Sequence, residues 1–508
     1  MRRHYTQRTG RPQQAGRPGA LLALLCAALV VLGASPALAA TGKEVTDEQI
    51  TRAIETELAL DDSVSAHLID VETANGVVTL SGSVDNALGR DRAVEIAQAI
   101  KGTRSVVNRI KIKPVERTDE QIRDDVVAAL AVDPAADAYQ LDVQVQDAVV
   151  TLKGSVDAWA EKQLALNVAK GVRGVRDVKD EMDVEYEAER RDAEIQAEVK
   201  RRLEMDARVD DALVDVKVDQ GKVSLTGTVG SAAEKSRART DAWVTGVESV
   251  DATDLQVKWW AREEMKRARQ AVTASDEKIK KAVKDALLYD PRVFSFKPQV
   301  EVDGGVVTLK GEVEDLKAKR AAEEDARNTV GVWKVENRLR VRPKERPSDA
   351  QLAQQVRDAL KRDPYVERHQ INVSVLNGKA YLYGTVDSDF EKWQADDVAA
   401  RVSGVVEVQN NLTVSEAWTW KDDWKIRQDI ESNLYWNPYV DEESVAVAVE
   451  DGVATLTGTV DSWYERRRAA DEAWEAGAKS VINELRVRGS APGTPPYGPP
   501  YGAARGRP

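Results

Sequence analysis

The chain has 508 residues, 31% charged and 42% hydrophobic, with 73 lysines and arginines against 86 aspartates and glutamates. This is the composition of a folded protein, not of a disordered or collagen-like one. Its net charge of −13 opposes nucleic-acid binding and bulk attraction to anionic lipid, and its single cysteine, Cys26, excludes a disulfide framework within the chain.

Residues 1–40 differ from the rest. Arg2, Arg3, Arg8, Arg11 and Arg17 precede an apolar run from residue 20 to 32, and small residues then lead to Ala37, Leu38 and Ala39, an AxA cleavage pattern. The run is shorter than the roughly 20 residues of a spanning helix, so it reads as a secretory signal cleaved near Ala39 or Ala40. The expected location is periplasmic or otherwise exported. Leu25, before Cys26, is too large for lipoprotein processing, and removing the signal leaves no thiol and a net charge of about −18. His4 and Tyr5 after the arginine pair leave the choice between general secretion and twin-arginine export open.

Downstream, the stretch GVVTLSGSVD, ending at Asp85, returns five more times, ending at Asp157, Gly230, Glu314, Asp387 and Asp461. The inner glycines are Gly82, Gly154, Gly227, Gly311, Gly384 and Gly458, spaced 72, 73, 84, 73 and 74 residues apart. A unit of this size can hold a core of its own, unlike a solenoid repeat of about 20 to 45 residues.

Each unit opens with a helix. Ile50, Ile54 and Leu58, and the same positions in every later copy, are spaced by four and share one face. Thr46, Thr118, Ser275, Ser348 and Asp422 are N-cap candidates, and Gln49, Gln121 and Gln351 complete capping boxes in three copies. The helix stops near Asp61, Asp133, Asp206, Asp290, Asp363 or Asn437, four of which precede proline. A hairpin follows, turning on pairs such as Asn75 and Gly76, whereas Asp147 and Ala148 in the second copy suggest another turn type. On the second strand, Val78, Leu80, Gly82 and Val84 share the apolar face. Alanines 11 and 15 residues past each glycine, Ala93 and Ala97 in the first copy, form a flat stripe expected to pack closely on that glycine. A final strand carries Val106, Ile110 and Ile112, and copies three and six differ from the others by one residue near it.

The expected fold is therefore α+β: six tandem αββαβ domains, each with two helices on one face of a three-stranded sheet, arranged as beads or a semi-rigid rod. The recurrent LxGxV core (Leu80, Gly82, Val84 and counterparts) and the closing-strand asparagine (Asn108, Asn337, Asn410 and Asn483, with Asp180 in copy two) resemble tandem BON domains, the module of the OsmY-like periplasmic proteins and their nodulation-associated relatives. The expected units are 46–114, 118–186, 191–258, 275–343, 348–416 and 422–489, with a basic Trp-containing linker at 259–274 and a Pro/Gly/Tyr-rich tail at 490–508 expected to be disordered.

No recurring residue suggests catalysis. The Asp61 series reads as helix stops, and the Asp85 series is replaced by Gly230 in copy three. His67 and His369, the only mature histidines, occupy a variable loop position in separate copies, so no zinc site forms within one unit. No calcium-loop spacing, nucleophile elbow or phosphate-binding loop is present. Neither a cofactor nor a metal is expected, and the chain reads as a non-enzyme.

The junctions offer the candidate contact residues: Trp259, Trp260, Arg262, Lys266 and Arg267 after copy three, and Trp418, Trp420 and Trp424 at the fifth junction. Tryptophans with basic neighbours suit a membrane interface, but they suit packing between neighbouring units as well. The resemblance implies a binding protein that engages membrane phospholipid or other envelope components and supports the envelope under osmotic or similar stress. The alternative is a scaffold or chaperone-like holder of exported proteins. Nucleic acid is not an expected partner.

Overall fold

The computed structural model describes residues 45–133, 141–186, 190–259, 274–293, 298–344, 346–366, 371–415 and 421–488. Six small α+β units follow one another. Their first helices are α1 (Asp47–Leu60), α3 (Asp119–Val132), α5 (Asp192–Met205), α7 (Asp276–Tyr289), α9 (Asp349–Arg362) and α11 (Asp423–Trp436). Their second helices are α2 (Ala87–Gln98), α4 (Trp159–Lys170), α6 (Ala232–Asp241), α8 (Leu316–Arg327), α10 (Asp389–Ala400) and α12 (Trp463–Glu475).

In each unit the strand carrying the inner glycine is central. The first strand pairs with it antiparallel, as in Ile69 opposite Gly82, and the last pairs parallel, as in Leu80 opposite Asn108. The second helix makes the crossover that a parallel pair requires. In repeats 3 and 6 the last strand is split, into Ser249–Asp251 with Leu255–Val257 and Ser480–Asn483 with Arg486–Val487, where the spacing departs from the other copies.

The helix register follows the apolar pattern. Ile50, Ile54 and Leu58 are buried with Val78, Leu80 and Val84 in the core of repeat 1, and the other copies repeat this. The capping boxes at Thr46, Thr118 and Ser348 form, and Ser275 accepts from the Lys278 N–H, while the Asp422 side chain makes no capping bond. All six first helices end at the expected Asp or Asn.

Three expectations are corrected. The alanine stripe is buried, but it is not what demands the glycine: a Cβ on Gly82 would lie 2.0 Å from the Leu68 carbonyl oxygen, and φ is +109°. The close approach comes from the turn entering the first strand. In copy two, Asp147 and Ala148 adopt φ of 51° and 60°, the same left-handed pair as Asn75 and Gly76 at 52° and 71°, so the turn type is unchanged.

The third correction concerns independence. The units are not beads touching only their sequence neighbours, because the outer flanks of their helices are not wholly polar. Trp436 of repeat 6 packs on the core of repeat 1, and Val132 of repeat 2 and Leu316 of repeat 4 pack with the core of repeat 5. Met205, Ala282 and Val330 form a small cluster joining repeats 3 and 4.

One backbone hydrogen bond marks this pairing three times. The N–H of Lys101 donates to the Trp436 carbonyl at 3.0 Å, that of Arg173 to Arg362 at 2.9 Å, and that of Val330 to Met205 at 2.9 Å. Each donor lies 19 residues after its inner glycine, and each acceptor is the last residue of a first helix. Repeats 1 and 6, 2 and 5, and 3 and 4 are thus joined in the same way.

Candidate functional site

A catalytic side chain must be free to meet a substrate, and the recurring polar side chains are instead engaged by their own unit. Thirty-five residues before every inner glycine stands an aspartate: Asp47, Asp119, Asp192, Asp276, Asp349 or Asp423. Its two carboxylate oxygens accept the consecutive N–H groups of the hairpin turn, for Asp47 those of Asn75 at 2.7 Å and Gly76 at 2.8 Å. All six copies repeat the fork. The column was visible in the sequence, but acidic residues in a first helical turn are ordinary partners of the helix dipole, so it attracted no reading.

The closing-strand asparagine is also structural. Asn410 Nδ2 donates to the Lys392 carbonyl at 2.7 Å and Oδ1 accepts from the Leu412 N–H at 3.2 Å, tying the last strand to the second helix. Asp180, its counterpart in copy two, cannot donate, and Lys162 Nζ supplies the bridge, 3.0 Å from Asp180 Oδ2 and bonded to the Met182 carbonyl.

Of the junction residues, Trp259 and Trp424 are described; Trp260, Arg262, Lys266, Arg267, Trp418 and Trp420 lie outside the described residues, as does His369. The Trp259 ring is half-buried, 5.4 Å from Lys101 Nζ, which also lies 4.3 Å from the Tyr435 ring and 3.5 Å from Glu442. It therefore sits where repeat 1 meets repeat 6. Trp424 is 62% exposed. His67 is exposed in the short 3-10 turn before the first strand.

Reasoning from the repeats missed a second aromatic surface. Where other copies place small or charged residues on the outer face of the central strand, repeat 5 carries Tyr381 and Tyr383, stacked with ring centres 6.5 Å apart. Tyr383 is 46% exposed, and Trp393 on α10 is 50% exposed. The signal was the local departure KAYLYGTV from an otherwise polar alternation.

The BON domain family matches residues 46–114, 118–186, 191–258, 275–343, 348–416 and 422–489. The chain belongs to the BON-domain family. Over 148 residues it is 29% identical to osmotically-inducible protein Y of Escherichia coli, spanning 28% of this chain and 74% of that protein. Over 140 residues it is 32% identical to outer membrane lipoprotein DolP of Haemophilus influenzae, spanning 26% of this chain and 72% of that one. Among solved structures, it is similar to the C-terminal domain of CdsD, a structural protein of the type III secretion system of Chlamydia trachomatis, at 15% identity over 41% of this chain and 96% of that one; the TM-score of 0.12 is too low to bear on function.

Between BON units 2, 3 and 4 lies a cavity of about 350 Å³ whose lining includes the stacked pair Trp159 and Trp243 and both signs of charge. Burial alone would raise the Asp206 carboxyl, but Arg208 at 2.6 Å and Arg237 at 2.7 Å outweigh it and hold the group well below the usual carboxylate range. Asp241, 1% exposed, is raised to about 6, by burial first, although Arg237 pairs with it at 2.6 Å. This wall is a locked charge network. Its ion pairs lie within repeat 3 and brace the end of α5 against α6.

Proposed function

We propose that this chain is a non-enzymatic binding protein of the bacterial cell envelope that contacts membrane phospholipid and supports the envelope under osmotic stress. The reading is carried by one observation: six BON units in one chain, with relatives named for osmotic induction and for the outer membrane. The engagement of the recurring polar groups in structural bonds supports a binding role over an enzymatic one. Among the described residues no helix is long and apolar enough to cross a membrane, so contact with lipid falls to surface groups. With a negative net charge, adsorption rests on insertion of aromatic side chains such as Trp424, Tyr383 and Trp393. Several weak contacts on one chain gain avidity wherever they engage together.

Sedimentation with vesicles of defined headgroup, at low and high salt, tests this. Binding that depends on headgroup and weakens on Trp424→Ala or Tyr383→Ser is the expected result. Folded protein that ignores every vesicle while selectively retaining exported polypeptides would replace the lipid reading with that of a holder of exported proteins.

A further inference from the structure

Where repeat 1 meets repeat 6, α1 and α12 bring Glu57, Glu472 and Glu475 together, one carboxylate oxygen of each within 4.8 Å of the others. Two guanidiniums face them, Arg92 from α2 and Arg468 from α12, and both are already engaged. Arg92 Nε donates to Asp61 at 2.8 Å, and Arg468 Nη2 to Glu472 at 2.6 Å. Around them, Glu95 lies 3.7 Å from Arg92, and Asp471 lies 3.7 Å from both Arg467 and Arg468. Asn437, at the end of α11, donates to Glu472. Glu57 and Glu475 thus meet with no ion-pair partner of their own among the described residues. Carboxylates this close, with Glu472 buried and Glu57 and Glu475 half-buried, resist carrying charge together.

We propose that the contact between repeats 1 and 6 is a clasp held shut by protons on the Glu57, Glu472 and Glu475 group, which opens as pH rises and these carboxyls ionise. Burial first, then the charge of Glu475, raises Glu57 to about 7; burial, then Glu472, raises Glu475 to about 8. A carboxyl raised in the closed state stabilises that state fully below its ordinary value near 4.5, and the contribution is lost as pH climbs through 7 to 8. The other two contacts lack this group. Repeats 2 and 5 meet through apolar side chains including Val132 and Val402, with buried Asp133 and Asp363 beside Arg401, and repeats 3 and 4 through opposite charges such as Arg201 and Asp285 at 2.8 Å. Among the described residues, the meeting of three carboxylates is therefore particular to this contact. It rests on the geometry of this contact and not on the lipid reading.

Pulsed spin-label distances in the full chain test it, on a Cys26→Ser background with labels at Glu72→Cys and Ala448→Cys, both exposed on first strands of the two repeats. The expected result is one narrow distance at pH 6, giving way to a longer, broader distribution by pH 9, with no further change once pH exceeds the raised values of about 7 and 8. Glu57→Gln combined with Glu475→Gln should keep the narrow distance at pH 9. A second pair, Asp215→Cys and Glu301→Cys across repeats 3 and 4, should not move. A distance unchanged to pH 9, an opening that persists in the glutamine variant, or parallel movement of the second pair would each overturn the proposal.

Discussion

The contacts between repeats 3 and 4 and between repeats 1 and 6 are made from the same part. In both, the N–H 19 residues past an inner glycine donates to the last carbonyl of the partner's first helix. Around that bond the charges differ. At 3–4, Arg201 pairs with Asp285, Lys278 with Glu204, and Tyr289 donates to Glu198. At 1–6, three glutamates share one place with two engaged arginines. The repeat thus supplies the backbone docking, and substitutions at its rim set how each contact answers to pH and salt.

The largest effect that would break this comparison is at the cavity wall. Asp206→Ala leaves half-buried Arg208 without its carboxylate and Arg237 with Asp241 alone, and should cost about 3 kcal/mol, read as an early step in denaturant unfolding. The same change at Asp61, whose one ion-pair partner Arg92 is 41% exposed, should cost distinctly less. Next comes the turn fork. Asp119→Ala removes two charge-assisted bonds to Asp147 and Ala148 and should cost about 2 kcal/mol, with Ala148→Gly recovering about 1 kcal/mol by relieving the left-handed alanine. Hydrogen exchange sharpens the contrast: after correction for intrinsic rates, protection of the Lys101 amide should fall between pH 6 and 9 while that of Val330 holds. The smallest change should come from Lys278→Ala, whose exposed pair with Glu204 is worth less than about 1 kcal/mol and fades with salt.

What was legible in the sequence was what local chemistry dictates. The spacing of Ile50, Ile54 and Leu58, the threonine and glutamine boxes and the glycine turns each report on neighbours within a few residues, and six copies in register amplified the pattern. Legibility failed where the cause was distant or shared by several explanations. Gly82 was attributed to a helix packed above it, because a side-chain-free patch looks the same whether an alanine or a carbonyl such as that of Leu68 approaches. Asp47 was hidden in plain view by the usual acidity of helix starts. The pairing of units could not be read at all, since the bond from Lys101 to Trp436 joins backbone groups and carries no residue preference. Nothing in the sequence sets Glu57 and Glu475 apart from other acidic helix residues, and it is that pairing which brings them face to face.

The nesting of partners, 3 with 4 inside 2 with 5 inside 1 with 6, has a consequence for how the chain assembles. The bonded groups are separated by roughly 125, 190 and 335 residues, so closing the outermost contact from the open chain costs about 0.9 kcal/mol more entropy than closing the innermost. Once the inner pairs have formed, that span is shortened for the outer one. Assembly on this scheme zips from the middle outward, and the unit synthesised first is the last to gain its partner. Repeat 1 must then wait, with this face uncovered, until repeat 6 has folded.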